Sequence, residues 1–308
     1  MKGFLEDLQA ALFCGGSCLL DEPMSRHTTF RVGGPAQYYV TVNNPQELVR
    51  VVKLCKEYGI ALTVLGNGSN VLVSDKGLKG VVLRLGGEFT SCRKESAADG
   101  TVLVTAGAGM MLSALSLQVA KEGCQGFEFA AGIPGSVGGA VVMNAGAYGG
   151  EIKDCICSVQ YLNSNGDIAE AAKEELQLSY RHSIFSEGDG IVLSAIFAFQ
   201  PGNKEEILAK IEELGKKRRE KQPLEFPSAG STFKRPEGYF AGKLIMDAGL
   251  AGFRVGGAEV SEKHCGFVIN KSGATAEDVF RLMQAVSERV KETSGVTLEP
   301  EVKLLGEF

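Results

Sequence analysis

Two glycine-rich segments hold the residues best suited to chemistry, Gly66-Asn67-Gly68-Ser69-Asn70 and Pro134-Gly135-Ser136-Val137-Gly138-Gly139-Ala140. Each borders an apolar run, so each can present backbone N–H groups to a diphosphate with no side chain in the way. A single loop of this kind is more often a tight turn. Two of them, with Asn144-Ala145-Gly146-Ala147-Tyr148 close behind the second, point to a large phosphate-bearing cofactor. Neither is a dinucleotide fingerprint: Gly66-x-Gly68 is followed by Val71 where the third glycine belongs, and Gly107-x-Gly109 meets Leu112. No Walker-type GxxxxGKS or GxxxxGKT segment occurs. His27, His182 and His264 stand apart from one another, and Cys14/Cys18 and Cys155/Cys157 match no paired CxxC pattern, so no metal is expected.

The elements that must carry these loops follow from composition and periodicity. With 308 residues, 44% hydrophobic and 22% charged, the chain can bury a sizeable core, and its length suits two domains. With a net charge of −5, nothing in the bulk charge argues for a nucleic-acid partner, and none is expected. Forty glycines against nine prolines fit many positive-φ turns and close backbone approaches. No apolar run reaches the ~18 residues that would span a bilayer. Lys2 could open a leader, but Glu6 and Asp7 interrupt the apolar stretch, and Leu5, Leu8 and Leu12 share one helical face. The cysteines read as buried reduced thiols of a cytoplasmic protein.

Residues 44–59 are predicted helical, with Asn44 as cap, Pro45 in the first turn, Glu47 completing a capping box, a Leu48, Val51, Val52, Cys55 stripe, and Gly59 as the stop. Strand patterns at Gln37–Val42 and Ala61–Leu65 make the opening unit β-α-β. Further strands are expected at Gly80–Leu85, Val102–Ala106, Ile152–Leu162 and Ile191–Gln200, with a helix near Leu112–Lys121. A polar helix over 204–222 reads as a linker. Beyond it a small domain should contain a strand at Phe267–Asn270, a helix capped by Thr275 and striped by Val279, Leu282, Met283, Val286 and Val290, and a strand at Glu301–Leu305.

Four segments agree in sequence and order with one family. Thr28-Thr29-Phe30-Arg31-Val32-Gly33-Gly34, Leu65–Asn70, residues 132–150 and Ala229-Gly230-Ser231-Thr232-Phe233 resemble the UDP-N-acetylenolpyruvoylglucosamine reductases, flavoenzymes that make UDP-N-acetylmuramate for the bacterial cell wall. The resemblance runs from about residue 25 to 306. The stretch Arg235-Pro236-Glu237-Gly238-Tyr239-Phe240-Ala241-Gly242-Lys243 is similar to the compact second subtype. It implies an α+β fold: an FAD-binding region of the vanillyl-alcohol-oxidase (PCMH) type in two subdomains, then a UDP-sugar domain. The expected division is a helical segment 1–30, an FAD-binding region 31–200 with subdomains of about 31–78 and 79–200, a linker helix 201–222, and a substrate domain 223–308.

The resemblance also implies roles. Ser231 matches the proton donor, Arg181 the essential arginine and Glu301 the essential glutamate. FAD, held without a covalent bond, would be contacted by Arg31, Gly66, Asn67, Gly68, Ser69, Asn70, Gly132, Pro134, Gly135, Ser136, Gly138, Gly139, Ala140, Asn144, Ala145, Gly146 and Ala147. Tyr148, Lys234, Arg235, Lys243 and Arg254 would meet UDP-N-acetylglucosamine enolpyruvate, with NADPH as co-substrate. Hydride delivered to the enolpyruvyl methylene leaves negative charge on the adjacent carbon and its carboxylate. Fixed positive charge from Arg181 and a hydrogen bond from Glu301 would stabilise that species, and Ser231 would supply the proton, its alkoxide favoured by Lys234 and Arg235. On residue type alone, Ser231 suits a turn, Arg181 a surface ion pair, and Glu299 rivals Glu301. An oxidase on the same cofactor scaffold and a non-catalytic UDP-sugar module remain the alternatives.

Overall fold

The structure, a computed structural model, describes residues 3–188 and 190–308, so the reading of Lys2 lies outside the described residues. The chain divides into two units. One comprises the residues up to Leu19 with Tyr39–Asn67 and Gly80–Lys217, the other Leu20–Tyr38, Gly68–Lys79 and Arg218–Phe308.

In the first unit α1 (Phe4–Ala11) stops at Leu12, because the chain then turns through Gly15 at φ 82°. Helix α2 (Pro45–Glu57) starts where its sequence signals place it, with the Asn44 side chain accepting the Glu47 N–H at 2.9 Å. The expected capping box does not close on Asn44. The fully buried Glu47 carboxylate instead accepts the N–H groups of Cys14 (2.6 Å), Asn43 (2.8 Å) and Gly16 (3.2 Å). Three convergent donors satisfy a charge that would otherwise be costly to bury. The strand Leu62–Val64, which follows α2, runs parallel to Leu78–Leu85, Leu62 opposite Val81 and Val64 opposite Leu83.

The rest of this unit is built on an antiparallel sheet in the order Ile168–Ala172, Ile156–Leu162, Ile191–Pro201, Val102–Gly107, Cys92–Ser96. In its long central strand Leu193, Ala195, Phe197 and Phe199 are buried in alternation with more exposed Ser194, Ile196 and Ala198. Phe127 packs 5.4 Å from Phe197 and 5.3 Å from Phe199, closing the core between strand and loop. Helix α3 (Leu112–Lys121) lies along this core, and α4 (Val137–Val142) follows the second glycine-rich loop. The strand expected from Ile152 begins only at Ile156. Ile152–Asp154 form a 3-10 turn in which Asp154 accepts the Glu151 N–H at 2.7 Å.

Helix α5 (Lys204–Lys221) contains the passage from the first unit to the second. The second unit gathers α6 (Ala241–Asp247), α7 (Ala276–Ser294) and a small sheet ordered Arg254–Val255, Ala258–Val260, Val268–Asn270. Val279, Leu282, Met283, Val286 and Val290 of α7 are all buried, each contributing on the order of 1.5–3 kcal/mol by leaving water. Early chain segments belong to this unit, against the expected contiguous division at 30, 78 and 200. Lys303–Leu305 pairs in parallel with Val71–Val73, the Asp75 carboxylate accepts the Ala276 and Glu277 N–H groups at 2.9 Å each, and Asn270 donates to the Phe30 carbonyl at 3.1 Å. Phe30, Val32 and Leu72 share one core cluster with α7. The segment expected to be helical over 1–30 is α-helical only at α1 among the described residues, and continues as the strand Ser17–Pro23 and a 3-10 turn at Met24–Arg26.

Candidate functional site

The candidate residues fall in both units, and each group is built locally. In the first unit Gly66 and Asn67 follow the strand Leu62–Val64, whose end is fixed by the Leu65 N–H donating to Leu83 at 2.8 Å. A Cβ on Gly66 would sit 2.4 Å from Ser136 Oγ, so a side chain here would push that hydroxyl out of place. Asn67 donates to the Pro134 carbonyl, and the two glycine-rich loops are side by side. Buried Ser136 caps α4 by accepting the Gly139 N–H at 3.2 Å. The Val137 and Gly138 N–H groups are taken by the carbonyls of Met110 and Ala108, both at 2.8 Å. Gly138 is thus a close-packing glycine, whose added Cβ would meet Ala108 Cβ at 2.9 Å. Gly132 and Gly135 are half-buried and Gly139 is exposed, so this loop brings no side chain between its backbone and a flavin dinucleotide.

Helix α4 ends in a Schellman turn: Ala145 N–H donates to Ala140 and Asn144 N–H to Val141, with Asn144 at φ 39°. Gly146–Ala147 then pairs with Gly150–Glu151 across the two-residue turn Tyr148-Gly149, at φ 53° and 90°, which leaves Tyr148 half exposed. Asn144 itself is fully buried. Its Nδ2 donates to Glu151 Oε2 and the Ser179 carbonyl, and its Oδ1 accepts the Lys153 N–H, each at 2.9 Å. Its side chain is therefore committed to the protein, leaving no donor for a cofactor. Arg181 is one of two residues, with Tyr180, closing a turn between Ser179 and His182, whose mutual N–H···O bonds measure 3.1 and 3.2 Å. It sits at φ 57°, a conformation an arginine adopts only when its surroundings impose it, and its guanidinium lies 5.1 Å from the Tyr180 ring centre. Glu151 is held below the usual carboxylate range by its hydrogen bond to Lys153, with Asn144 and the charge of Arg181 adding to the effect.

In the second unit Gly230 at φ 77° delivers the chain into Ser231, which is exposed. Fully buried Thr232 then anchors it: its N–H donates to Gly266 (2.8 Å), its hydroxyl accepts from Val268 (2.9 Å), and its carbonyl accepts the Glu301 N–H (2.8 Å). The Lys234 N–H donates to Glu299, and Phe233 opposes Pro300. The Ser231–Lys234 and Glu299–Glu301 segments are thus paired antiparallel. Of the two rival glutamates, Glu301 is 9% exposed and has its carbonyl bonded by Asn70 Nδ2 at 3.1 Å, whereas the Glu299 side chain is 70% exposed and ion-paired with Lys234 at 3.2 Å. Thr232 and Asn70 fix the backbone beside Ser231 and at Glu301, and a sequence scan for reactive side chains passes over Thr232.

The cationic candidates have partners of their own. Arg254 and Lys271 both pair with Glu259, whose side chain is only 3% exposed. Lys243 pairs with Asp247 one helical turn away. Arg235 stacks on the Phe240 ring at 4.0 Å and donates to the Tyr239 carbonyl. Arg31 is exposed at φ 55°, and Gly68 packs against the His27 carbonyl at a distance only glycine allows. Ser69 is half-buried on the same loop. Among the described residues no group of three or more His, Cys, Asp or Glu is gathered as a metal site, and no helix is long and apolar enough to cross a membrane.

Comparison with known proteins supplies the context. Residues 36–172 match the FAD binding domain family, and residues 222–305 match the UDP-N-acetylenolpyruvoylglucosamine reductase C-terminal domain. The chain is 58% identical over 287 residues to the UDP-N-acetylenolpyruvoylglucosamine reductase of Lachnoclostridium phytofermentans, covering 93% of this chain and 92% of that protein. It is 47% identical to that of Caldanaerobacter subterraneus subsp. tengcongensis over the whole of both chains. The crystal structure of the Thermus caldophilus UDP-N-acetylenolpyruvylglucosamine reductase superposes with a TM-score of 0.79 at 37% identity, covering 94% of this chain and 99% of that one. The fold is accordingly α+β, with a PCMH-type FAD-binding region ahead of the reductase C-terminal domain. With relatives at this identity matched along nearly their full length, the chain belongs to the UDP-N-acetylenolpyruvoylglucosamine reductase family.

Proposed function

We propose that this protein reduces UDP-N-acetylglucosamine enolpyruvate to UDP-N-acetylmuramate, as an FAD-dependent oxidoreductase of peptidoglycan synthesis using NADPH. The observation that carries the reading is the 47% identity over the entire length of a reductase of that name. Gly66, Asn67 and the Gly132–Ala140 loop would hold the isoalloxazine and diphosphate parts of FAD, whose chemistry is to carry a hydride from nicotinamide to the enolpyruvyl methylene carbon.

The protein's own groups do the rest. A C–H bond forms at the methylene carbon, the C=C bond opens, and its electron pair moves onto the neighbouring carbon and carboxylate. Arg181 balances that charge, with Glu301 contributing a hydrogen bond. The Ser231 hydroxyl gives its proton to the carbanionic carbon, completing the lactyl ether, and solvent restores the serine proton; NADP+ is the product of the earlier half-reaction, in which NADPH gives up its hydride. Support for these two roles comes from the pairing of Thr232 with Glu301, which sets Ser231 and the buried Glu301 on adjacent paired segments. Lys234, Arg235, Lys243, Arg254 and Tyr148 are assigned to the UDP-sugar side. Arg254 is the weakest of these assignments, since Glu259 already engages it. The eight free cysteines suit a reducing cytoplasm.

The test is anaerobic absorbance spectroscopy on the purified protein. Addition of NADPH should bleach a flavin band, and addition of UDP-N-acetylglucosamine enolpyruvate should restore it. A flavin that ignores both would sink this reading in favour of an oxidase acting on another substrate.

A further inference from the structure

Six non-glycine residues adopt positive φ among the described residues, and four of them, Arg31, Asn144, Tyr148 and Arg181, stand at candidate site positions. Backbone strain of this kind collects where a geometry matters to function. Asn144 differs from the other three in being fully buried. Its one amide reaches three segments: Glu151 on the Tyr148 hairpin, Lys153 beyond it, and Ser179 at the base of the turn that carries Arg181. The end of α4 grips the other side of the same turn. The hydroxyls of Ser183 and Ser186 both donate to the Val142 carbonyl, at 2.8 and 3.1 Å.

We infer that Asn144 is a positioning residue for Arg181: its buried amide ties the Ser179–His182 turn to the end of α4, fixing the direction of the guanidinium relative to the glycine-rich loop that precedes that helix. Asparagine suits the post twice over. It tolerates the left-handed conformation that ends α4, where glycine is the usual occupant, and it supplies two donors that glycine lacks. With Asn144 in place the Arg181 turn inherits the rigidity of the α4 core instead of the mobility of a surface loop. The inference rests on the reading of Arg181 as the group that balances charge on the substrate.

Asn144→Asp tests it in the holoenzyme, because it keeps the shape, the left-handed tolerance and the acceptor for Lys153 but removes both donors. The half-reactions are followed separately. Flavin reduction by NADPH should stay within about two-fold of wild type, while reoxidation by UDP-N-acetylglucosamine enolpyruvate should slow by about 10–100-fold, the scale of a misplaced catalytic group. The carboxyl at 144 would face the Glu151 carboxylate and the Ser179 carbonyl, with Lys153 and Arg181 as the nearby cations that act on Glu151. It should therefore regain a proton, and a donor, as pH falls, so the reoxidation defect should shrink toward acid pH. Substrate affinity of the oxidised protein, measured by calorimetry without turnover, should weaken in parallel.

Wild-type reoxidation, a defect that does not change with pH, or an equal fall in both half-reactions would each overturn the inference. If Asn144→Asp does not retain flavin, Glu151→Ala carries the test by removing one of the three bonds. It should slow reoxidation alone, by about 3–10-fold on the same misplacement argument, and equal effects on both half-reactions would again overturn the inference. Arg181→Lys separates this inference from the reading beneath it. Slow reoxidation in Arg181→Lys with normal reoxidation in Asn144→Asp rejects the positioning role alone, whereas normal reoxidation in Arg181→Lys rejects the role of the arginine itself.

Discussion

The N–H of Glu301 donates to the carbonyl of Thr232 at 2.8 Å, so the buried glutamate lies across from the residue that follows Ser231. Glu299, two residues earlier, faces solvent and pairs with Lys234. This arrangement separates two carboxylates that composition cannot tell apart. Glu301→Ala is expected to lower kcat by about 100-fold or more, the effect of removing one preorganised hydrogen bond to developing charge. Glu299→Ala should stay within about three-fold, as for an exposed ion pair. Steady-state kinetics on the two variants checks the order, and the reverse order would assign the role to Glu299.

Ser231→Ala should divide the reaction at one step. The serine is exposed at the start of an anchored segment, and Thr232 next to it keeps all its bonds when the hydroxyl is removed. Reduction by NADPH should proceed at the wild-type rate, and reoxidation by substrate should fall by about 100-fold or more, as expected when general-acid help is lost. Rapid-mixing absorbance under anaerobic conditions reads both rates. Unchanged reoxidation would remove Ser231 from proton delivery.

Local signals in the sequence were enough for the elements that local physics dictates. The Asn44 and Thr275 caps, the α7 stripe and the alternation in Ile191–Pro201 each set an element by short-range pattern. What could not be read was pairing over long sequence distances. Nothing around Val71 or Asp75 announces that one will pair with Lys303 and the other will hold the first N–H groups of α7. The site shows the same limit. Ser231, Arg181 and Glu301 were reached through whole-family resemblance, whereas Thr232, Glu151 and Glu259 act through partners that no spacing rule predicts. Glu47 illustrates how a correct local signal can still mislead: its spacing fits a capping box, but a loop 31 to 33 residues away supplies two of its donors.

Arg254 and Lys243 should behave differently although both were expected to meet the UDP-sugar substrate. The Glu259 carboxylate is buried and has two cationic partners, Arg254 and Lys271. Arg254→Ala leaves that charge half-compensated, and is expected to cost about 1–3 kcal/mol of stability. Lys243 and Asp247 form an exposed pair within one helix, and Lys243→Ala should cost about 0.5 kcal/mol or less. Thermal unfolding compares them directly, and equal midpoints for the two variants would show that Glu259 does not depend on Arg254.

The N-terminus of α7 supplies a pH-dependent prediction. Asp278 accepts the Thr275 N–H at 3.0 Å and the Gly257 N–H at 3.2 Å, while the Thr275 hydroxyl accepts the Asp278 N–H at 3.0 Å. These bonds, led by the one from Thr275, hold the Asp278 carboxyl below the usual aspartate range. Because the folded value is depressed, the group stabilises the protein above its unfolded pKa of about 3.9 and loses that contribution as pH falls toward the folded value. Asp278→Asn should destabilise the protein at pH 7 by about 1 kcal/mol, the worth of a cap. The gap from wild type should close as pH drops below about 4, because protonated Asp278 then resembles the variant. Denaturant unfolding at several pH values measures that gap. A difference that persists unchanged to pH 3 would mean that the amide fails through shape, not charge, and that the carboxylate is not what fastens the Gly257 loop to α7.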